Sequence, residues 1–211
     1  MTSKPTMPNR TAPPDRAEIP ARRRLGRAER RDQLLTAASR AFTRTGFAAT
    51  SLDDVAVAAG VSRVILYRHF ASKAELYRAV LDRACARLIA AVRELPGTYT
   101  AASIDAMIAV AAEDPDAFRL LFHHAVREPE FRSETDQFRD GMVAAAQQQL
   151  SLVIGNQPWA RWAAQLSCTV AIEATIAWLD AGQPDRHQAA ERIRLAIAGV
   201  IQAAGPRTNL D

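Results

Sequence analysis

The stretch SLDDVAVAAGVSRVILYRHF, residues 51–70, decides the fold. The Ser51 hydroxyl can accept the backbone N–H of Asp54, whose carboxylate can point back at Ser51; this is the capping box that begins a helix. A short helix is expected from about 52 to 59, because Gly60 then ends it. A second short helix follows at once, so the stretch predicts two short helices joined by a tight turn.

The second helix of the pair is expected to begin at Ser62, as its N-cap, and to run to about Phe70. With residues spaced at about 100° and Leu66 at the centre of the buried side, the remaining side chains form an outward face. That face consists of Val64, Ile65, Tyr67 and Arg68. Such a pair is typical of a helix-turn-helix, whose second helix lies in the DNA major groove.

Charge is distributed unevenly over the 211 residues, of which 48% are apolar and 24% charged. Residues 1–73 contain 14 Lys and Arg against 6 Asp and Glu, a balance of +8, whereas residues 74–211 contain 13 against 17, a balance of −4. A basic front attached to a mildly acidic remainder indicates that the front binds a polyanion, and nucleic acid is the first to test.

Several classes of protein are not expected. No run of about 18 consecutive apolar residues is present, so we expect neither a membrane span nor a membrane partner. The basic amino terminus is not followed by the apolar stretch of a secretory signal. Cys85 and Cys168 stand far apart, and the adjacent His123 and His124 would diverge on a helix, so no disulfide, metal site or cofactor is expected.

Helical patterns continue on both sides of the motif. Five of the eleven prolines lie in residues 1–26, which we expect to be a disordered basic tail. One helix is expected from Arg27 to Gly46, and another from the capping box Ser72 to Glu75 up to Pro96. Further helices are expected near 101–113, 116–127, 130–154, 158–181 and 185–204. The sequence therefore predicts an all-α fold of about nine helices.

Residues 31–81 resemble the DNA-binding domain of tetracycline-repressor (TetR) type transcriptional regulators. The shared motifs are Gly46-Phe47, Thr50 to Ala56, Ala59 to Arg63 and Leu66 to Phe70. The resemblance implies a helix-turn-helix DNA-binding domain at 27–75, a helical effector-binding and dimerisation domain at 76–204, and a carboxyl-terminal tail at 205–211. We expect a bacterial, cytoplasmic protein associated with the nucleoid, since the two isolated cysteines fit a reducing cytoplasm.

The resemblance implies DNA contacts for eight residues. Ser51, Tyr67, His69 and Lys73 would touch phosphates, and Arg63, Val64, Ile65 and Arg68 would face bases or the adjoining backbone. The family commonly has Gly-Thr where Val64-Ile65 stand, so apolar contact with thymine methyl groups is our substitute hypothesis. Each of these residues has an alternative interpretation. Ser51 can be only a helix cap, and Tyr67 and His69 can be packed surface residues. The run Arg22 to Arg24 is either a solvated tail or an arm that follows the DNA backbone or enters a minor groove.

The remaining helices are expected to mediate pairing and ligand binding, as in the family. Trp159, Trp162, Leu166, Val170, Trp178, Ile193, Ile197 and Val200 are expected at a homodimer interface of the last two helices. Met107, Phe118, Phe122, Phe138 and Met142 are expected around an apolar ligand pocket. The competing interpretation of both sets is packing within one chain.

The function expected from these features is a dimeric repressor. It would bind double-stranded DNA at a palindromic operator and be released by a small apolar or amphipathic effector. One alternative is a DNA-binding protein of the same fold that acts without a small molecule, either by organising DNA or under the control of a protein partner. A helical enzyme is the least favoured class. The sequence has no glycine-rich phosphate-binding loop, no Ser-His-Asp order in a strand-turn-helix setting and no metal-ligand spacing.

Overall fold

The computed structural model describes residues 26–93 and 101–205, and within these ranges the chain forms nine α-helices and no strand. They are α1 (Arg27–Ala49), α2 (Leu52–Ala58), α3 (Arg63–Tyr67), α4 (Lys73–Arg93), α5 (Ala101–Glu113), α6 (Pro115–Arg119), α7 (Arg132–Leu150), α8 (Gln157–Asp180) and α9 (Arg186–Ala204). The all-α prediction is confirmed. The expected amino-terminal tail up to residue 25, the segment around Pro96 and the tail beyond Gly205 lie outside the described residues.

The first four helices pack around one end of the core. Leu34 and Phe42 of α1, Val55 of α2, Leu66 of α3 and Leu76 of α4 are completely buried. The helical geometry of α1 is interrupted where the sequence predicts its end, at Gly46, whose φ of +79° suits glycine better than a residue with a side chain. Beyond this interruption, α2 packs on α1 and α3 packs on α2.

The region between α5 and α7 departs from the expected single helix over 116–127. Asp114 caps α6 by accepting the backbone N–H of Ala117, and a π-helical turn, Leu120–His124, and a 3-10 turn, Ala125–Arg127, follow. Three consecutive apolar residues, Leu120 to Phe122, are buried together. A wider turn lets all three face the core, which a regular α-helix with one apolar stripe does not.

The two halves of the molecule share a continuous core. Helix α4 packs on α1 of the amino-terminal half and on α5 of the carboxyl-terminal half. Helix α8 packs between α7 and α9. The expected domain boundary at residue 75 falls inside α4, so this helix belongs to both halves. Phe131, immediately before α7, stacks on Tyr77 of α4 with ring centroids 4.4 Å apart. No helix of the described ranges has the length and apolar character needed to cross a membrane.

Candidate DNA interface and effector cavity

The amino terminus of α2 is fixed by the expected capping box. The Asp54 backbone N–H donates to Ser51 Oγ at 3.1 Å, and Asp54 Oδ2 accepts from the Ser51 backbone N–H at 2.9 Å and from its hydroxyl at 2.7 Å. These hydrogen bonds with Ser51 lower the pKa of the Asp54 carboxyl. Ser51 is still exposed, so its role as a cap leaves room for a contact with a phosphate.

Helix α3 is held by its buried side and exposes the opposite one. Leu66 is completely buried and Phe70, just beyond the helix, nearly so. Val64, Tyr67 and Arg68 are exposed, and Ile65 is half-buried on the shoulder. The outward face is the one expected from the sequence, although α3 ends at Tyr67, before Phe70. Ser62 stands at the N-cap position, but the expectation that its side chain caps the helix is wrong, because it makes no capping hydrogen bond.

Charged groups surround α3 on the exposed side. Arg63 Nε lies 3.0 Å from the carboxylate of Asp53 on α2, and Arg63 Nη2 lies 3.4 Å from the Tyr67 hydroxyl. The hydrogen bond with Tyr67, followed by the charge of Asp53, raises the pKa of Arg63. His69 is half-buried, and burial, together with nearby arginines of α1, lowers its pKa. The surface is therefore cationic apart from Asp53 and Asp54.

Lys73, at the start of α4, already has partners on α1. Its Nζ donates to the carbonyls of Phe47 at 2.8 Å and Ala48 at 3.1 Å, and it lies 4.5 Å from the centroid of the Phe47 ring. Glu75 completes the start of α4 by accepting the Ala71 backbone N–H, while the Glu75 N–H donates to Ser72 Oγ. Lys73 thus joins the start of α4 to the end of α1.

An apolar cavity of about 330 Å³ lies between α4, α5, α7 and α8. Of the five expected pocket residues, Met107, Phe138 and Met142 line it. Phe118 and Phe122 do not; both are buried in the core with their ring centroids 4.8 Å apart. Lining residues that the sequence analysis did not identify include Leu88, Ile89 and Val92 of α4 and Gly141 and Ala145 of α7. Their apolar spacing is indistinguishable from that of core residues, so no sequence signal separated them.

A second cavity, of about 230 Å³, lies between α5, α7, α8 and α9. It shares Ile104 and Ala171 with the first, so these two side chains divide the space between the helices. Ser167 also lines it, and the buried Ser167 hydroxyl has no hydrogen-bond partner within the described part of the chain.

The eight residues expected at a dimer interface fall into three groups. Trp159 and Trp162 are exposed, with ring centroids 5.7 Å apart. Leu166, Val170, Ile197 and Val200 are half-buried, and Trp178 and Ile193 are buried within the chain. The Trp178 indole donates to the Pro184 carbonyl at 2.6 Å, which accounts for its buried position. Leu195 of α9, which was not among the expected residues, is 66% exposed.

The histidines show no sign of metal binding. His123 Nε2 lies 3.0 Å from a carboxylate oxygen of Glu173, so it joins the π-helical turn to α8. Burial lowers the pKa of His124 on the same turn. In the described ranges, no three His, Cys, Asp or Glu side chains are grouped as a metal site requires.

The short helix pair with an exposed second helix defines a helix-turn-helix DNA-binding protein. The sequence model of "Bacterial regulatory proteins, tetR family" matches residues 34–80. The "HTH-type transcriptional activator FasR" of Mycolicibacterium smegmatis is 34% identical over 177 residues, which cover 80% of this chain and 81% of the relative. The "HTH-type transcriptional regulator TtgR" of Pseudomonas putida is 52% identical over 54 residues, 26% of each chain.

The fold agrees with these sequence relationships. A crystal structure of a TetR-like transcriptional regulator from Rhodococcus sp. RHA1 superimposes with a TM-score of 0.71 at 22% identity, covering 85% of this chain and 99% of that one. The chain therefore belongs to the TetR family and is a DNA-binding transcriptional regulator.

Proposed function

We propose that the protein is a dimeric repressor that binds a palindromic operator and is released from it by a small apolar or amphipathic effector. The observation that carries the proposal is the outward face of α3, which is anchored from behind by Leu66 and Phe70 and is covered by no other part of the described chain. A short helix held this firmly can enter the major groove as a rigid unit.

The contacts with DNA would divide into two classes. Ser51, Tyr67, His69 and Lys73 would touch phosphates and fix the register of the protein on the duplex. Arg63, Val64, Ile65 and Arg68 would face the bases. Arg68 is exposed at the end of α3 and can bond to both O6 and N7 of a guanine, while the methyl groups of Val64 and Ile65 suit the methyl group of thymine.

Pairing of two chains would supply the second recognition helix. A single motif reads few base pairs, and two-fold dimers place their half-sites about 34 to 36 Å apart or at a multiple of that distance. The outward faces of α8 and α9 carry exposed apolar side chains, including Trp162 and Leu195. The half-buried Leu166 and Val170 extend this surface along α8. Two copies of the helix pair would bury it in a four-helix bundle.

The first cavity is the candidate effector site. Its volume is within the range of small-molecule sites, and its walls are almost entirely apolar. Leu88, Ile89 and Val92 of its lining belong to α4, whose other end carries Lys73 at the DNA-binding domain. An effector that prefers an altered position of α4 would weaken DNA binding, and by linkage DNA would weaken effector binding by the same factor.

A matched pair of α7 variants tests the effector site. Ala145 lines the cavity, whereas the neighbouring Ala144 is exposed. The probe is 1-anilinonaphthalene-8-sulfonate, whose fluorescence rises in apolar sites. Release of DNA when the probe is added is followed by the anisotropy of a labelled operator. We expect Ala145→Phe to abolish both probe binding and the release of DNA by the probe, and Ala144→Phe to behave as the wild type. Equal probe responses in the two variants would contradict the proposal and favour a regulator that acts without this cavity.

Activation is the second candidate function. It is favoured by the name of FasR, the relative that aligns with 80% of this chain and is called an activator. A promoter fusion carrying the operator distinguishes the two: loss of the regulator raises expression from a repressed promoter and lowers it from an activated one.

A further inference from the structure

We propose that Asp53 is a specificity-determining residue of the DNA interface, which holds the Arg63 guanidinium in the orientation that reads a guanine. The inference rests on the proposed entry of α3 into the major groove. It adds an α2 residue that positions a base-reading side chain, and it gives an acidic side chain at a cationic surface a role that is distinct from helix capping.

The contacts of Arg63 with its two neighbours leave the end of its guanidinium available. Arg63 is the first residue of α3, and its Nε faces the Asp53 carboxylate at 3.0 Å. Its Nη2 faces the Tyr67 hydroxyl at 3.4 Å, and Cζ lies 5.4 Å from the centroid of the Tyr67 ring. A guanidinium has five N–H donors, and the hydrogen bond to Tyr67 uses one of those on Nη2. Nη1 and Nη2 lie side by side at the end of the guanidinium, which is the arrangement that a bidentate contact with guanine O6 and N7 uses.

The pair has little effect on the free protein. The Arg63 and Asp53 side chains are 65% and 52% exposed, and exposed ion pairs of this kind contribute little to folding stability. Its effect would arise on DNA, where contact with the groove excludes water from both charges. A guanidinium that is already oriented loses less side-chain entropy when it meets the base, so the correct sequence gains affinity from the pre-organisation.

Asp53 also affects binding to wrong sequences. An unrestrained Arg63 could turn to any nearby phosphate, which would strengthen binding to all duplexes alike. The Asp53 carboxylate offsets the charge of Arg63 and repels phosphates, so the pair contributes to binding mainly where a base completes the contact. Asp53→Asn, which keeps the size of the side chain, should therefore strengthen binding to random DNA while reducing discrimination.

The test uses selection from a duplex library with a randomised centre, carried out with the full-length wild type, Asp53→Asn, Asp53→Glu and Arg63→Ala. Asp140→Asn is the matched control, because Asp140 is an exposed carboxylate on α7, away from the motif. We expect Asp53→Asn and Arg63→Ala to lose the preference for guanine at the same position of the half-site, by about fivefold or more. Asp53→Asn should also steepen the salt dependence of random binding by about one phosphate contact per subunit.

Asp53→Glu retains a carboxylate and should keep the preference, and Asp140→Asn should match the wild type at every position. The proposal is overturned if Asp53→Asn has the base preferences and salt dependence of the wild type, or if Asp140→Asn reproduces its effects, since bulk charge would then suffice. A wild type that enriches no sequence would instead contradict sequence-specific DNA binding itself.

Discussion

The Arg83 guanidinium lies 2.7 Å from the carboxylate of Asp114, where α1, α4 and the start of α6 meet. The same guanidinium donates to the Asp32 carboxylate at 2.7 Å and to the Thr36 hydroxyl at 2.9 Å, both on α1. Asp114 also accepts from the Ser39 hydroxyl of α1. The Arg83 and Asp114 side chains are only 11% and 10% exposed. The Arg83–Asp114 pair is therefore shielded from water, and its contacts with Asp32, Thr36 and Ser39 tie α1 to α4 and to the start of α6.

Replacing Arg83 should be costly. Arg83→Met keeps much of the apolar stem but leaves Asp114 buried without its ionic partner, which lowers the free energy of unfolding by about 3 to 5 kcal/mol. Urea denaturation measures the change. The control is Arg87→Met, because Arg87 approaches Asp32 only to 4.0 Å and is more exposed, so it should cost no more than about 1 kcal/mol. Equal losses in the two variants would contradict the structural importance of the Arg83–Asp114 pair.

Lys73→Met should change both stability and DNA binding. The ammonium bonds to the Phe47 and Ala48 carbonyls, so its loss should lower the free energy of unfolding by about 1.5 to 3 kcal/mol. If it also touches a phosphate, the salt slope of DNA binding falls by about one per subunit, for specific and random duplexes alike. Arg186→Met, which removes an exposed charge at the start of α9, should leave the slope unaltered. An unchanged slope for Lys73→Met would limit its role to the joining of α1 and α4.

Arg68→Ala should affect one sequence position more than overall affinity. Arg68 is exposed at the end of α3, and loss of a bidentate contact with guanine costs about 1 to 3 kcal/mol on the correct duplex. Binding to random DNA should weaken much less. Titration of both duplexes at one salt concentration gives the comparison, and equal losses on the two would rule out a base-reading role for Arg68.

Stability should decrease in mild acid through two histidines. Burial lowers the pKa of His69 and of His124 below the ordinary value of 6.5. The unfolded chain therefore takes up protons before the folded chain does as the pH falls. This contribution to stability is fully present above pH 6.5 and is lost progressively below it.

The measurement is the melting temperature between about pH 7.5 and 5.5, a range that spans the ordinary histidine pKa. The double variant His69→Gln, His124→Gln should show a smaller decrease than the wild type. A wild-type melting temperature that rises on acidification, or a double variant with the same pH dependence, would contradict the assignment.

Pairing through α8 and α9 should be sensitive to a charge on the outward face. Leu195 is exposed in the single chain, so Leu195→Glu should fold normally and sediment as a monomer at micromolar concentration, where the wild type sediments as a dimer. Leu152→Glu is the matched control, since Leu152 is also exposed but follows the end of α7. A monomeric wild type would disprove the dimer, and a dimeric Leu195→Glu would place the interface elsewhere.

Local signals made the DNA-binding half predictable from sequence. Three features depend on neighbouring residues only. They are the capping box at Ser51, the left-handed turn at Gly60 and the helical spacing that buries Leu66 and exposes the residues on the other side of α3. The ion pair of Asp53 with Arg63 was not predicted, because it joins two helices across a turn and follows no helical period.

Tertiary packing decided the features that the sequence did not predict. The turn at Leu120 to His124 widens because three adjacent apolar side chains face one core. Phe118 and Phe138 occur in similar apolar patterns, yet one is buried in the core and the other lines the cavity. An apolar stripe indicates that a side chain avoids water, and it does not distinguish a packed neighbour from an empty space.

Footprinting tests the central claim most directly. The wild type is used to enrich fragments of genomic DNA, and the enriched fragment is then cleaved in the presence of wild type and Arg68→Ala. We expect one protected segment with two inverted half-sites, whose centres lie about 34 to 36 Å apart or at a multiple of that distance, and weaker protection by the variant. Protection without inverted symmetry, or identical protection by the two proteins, would contradict a paired α3 that reads the major groove.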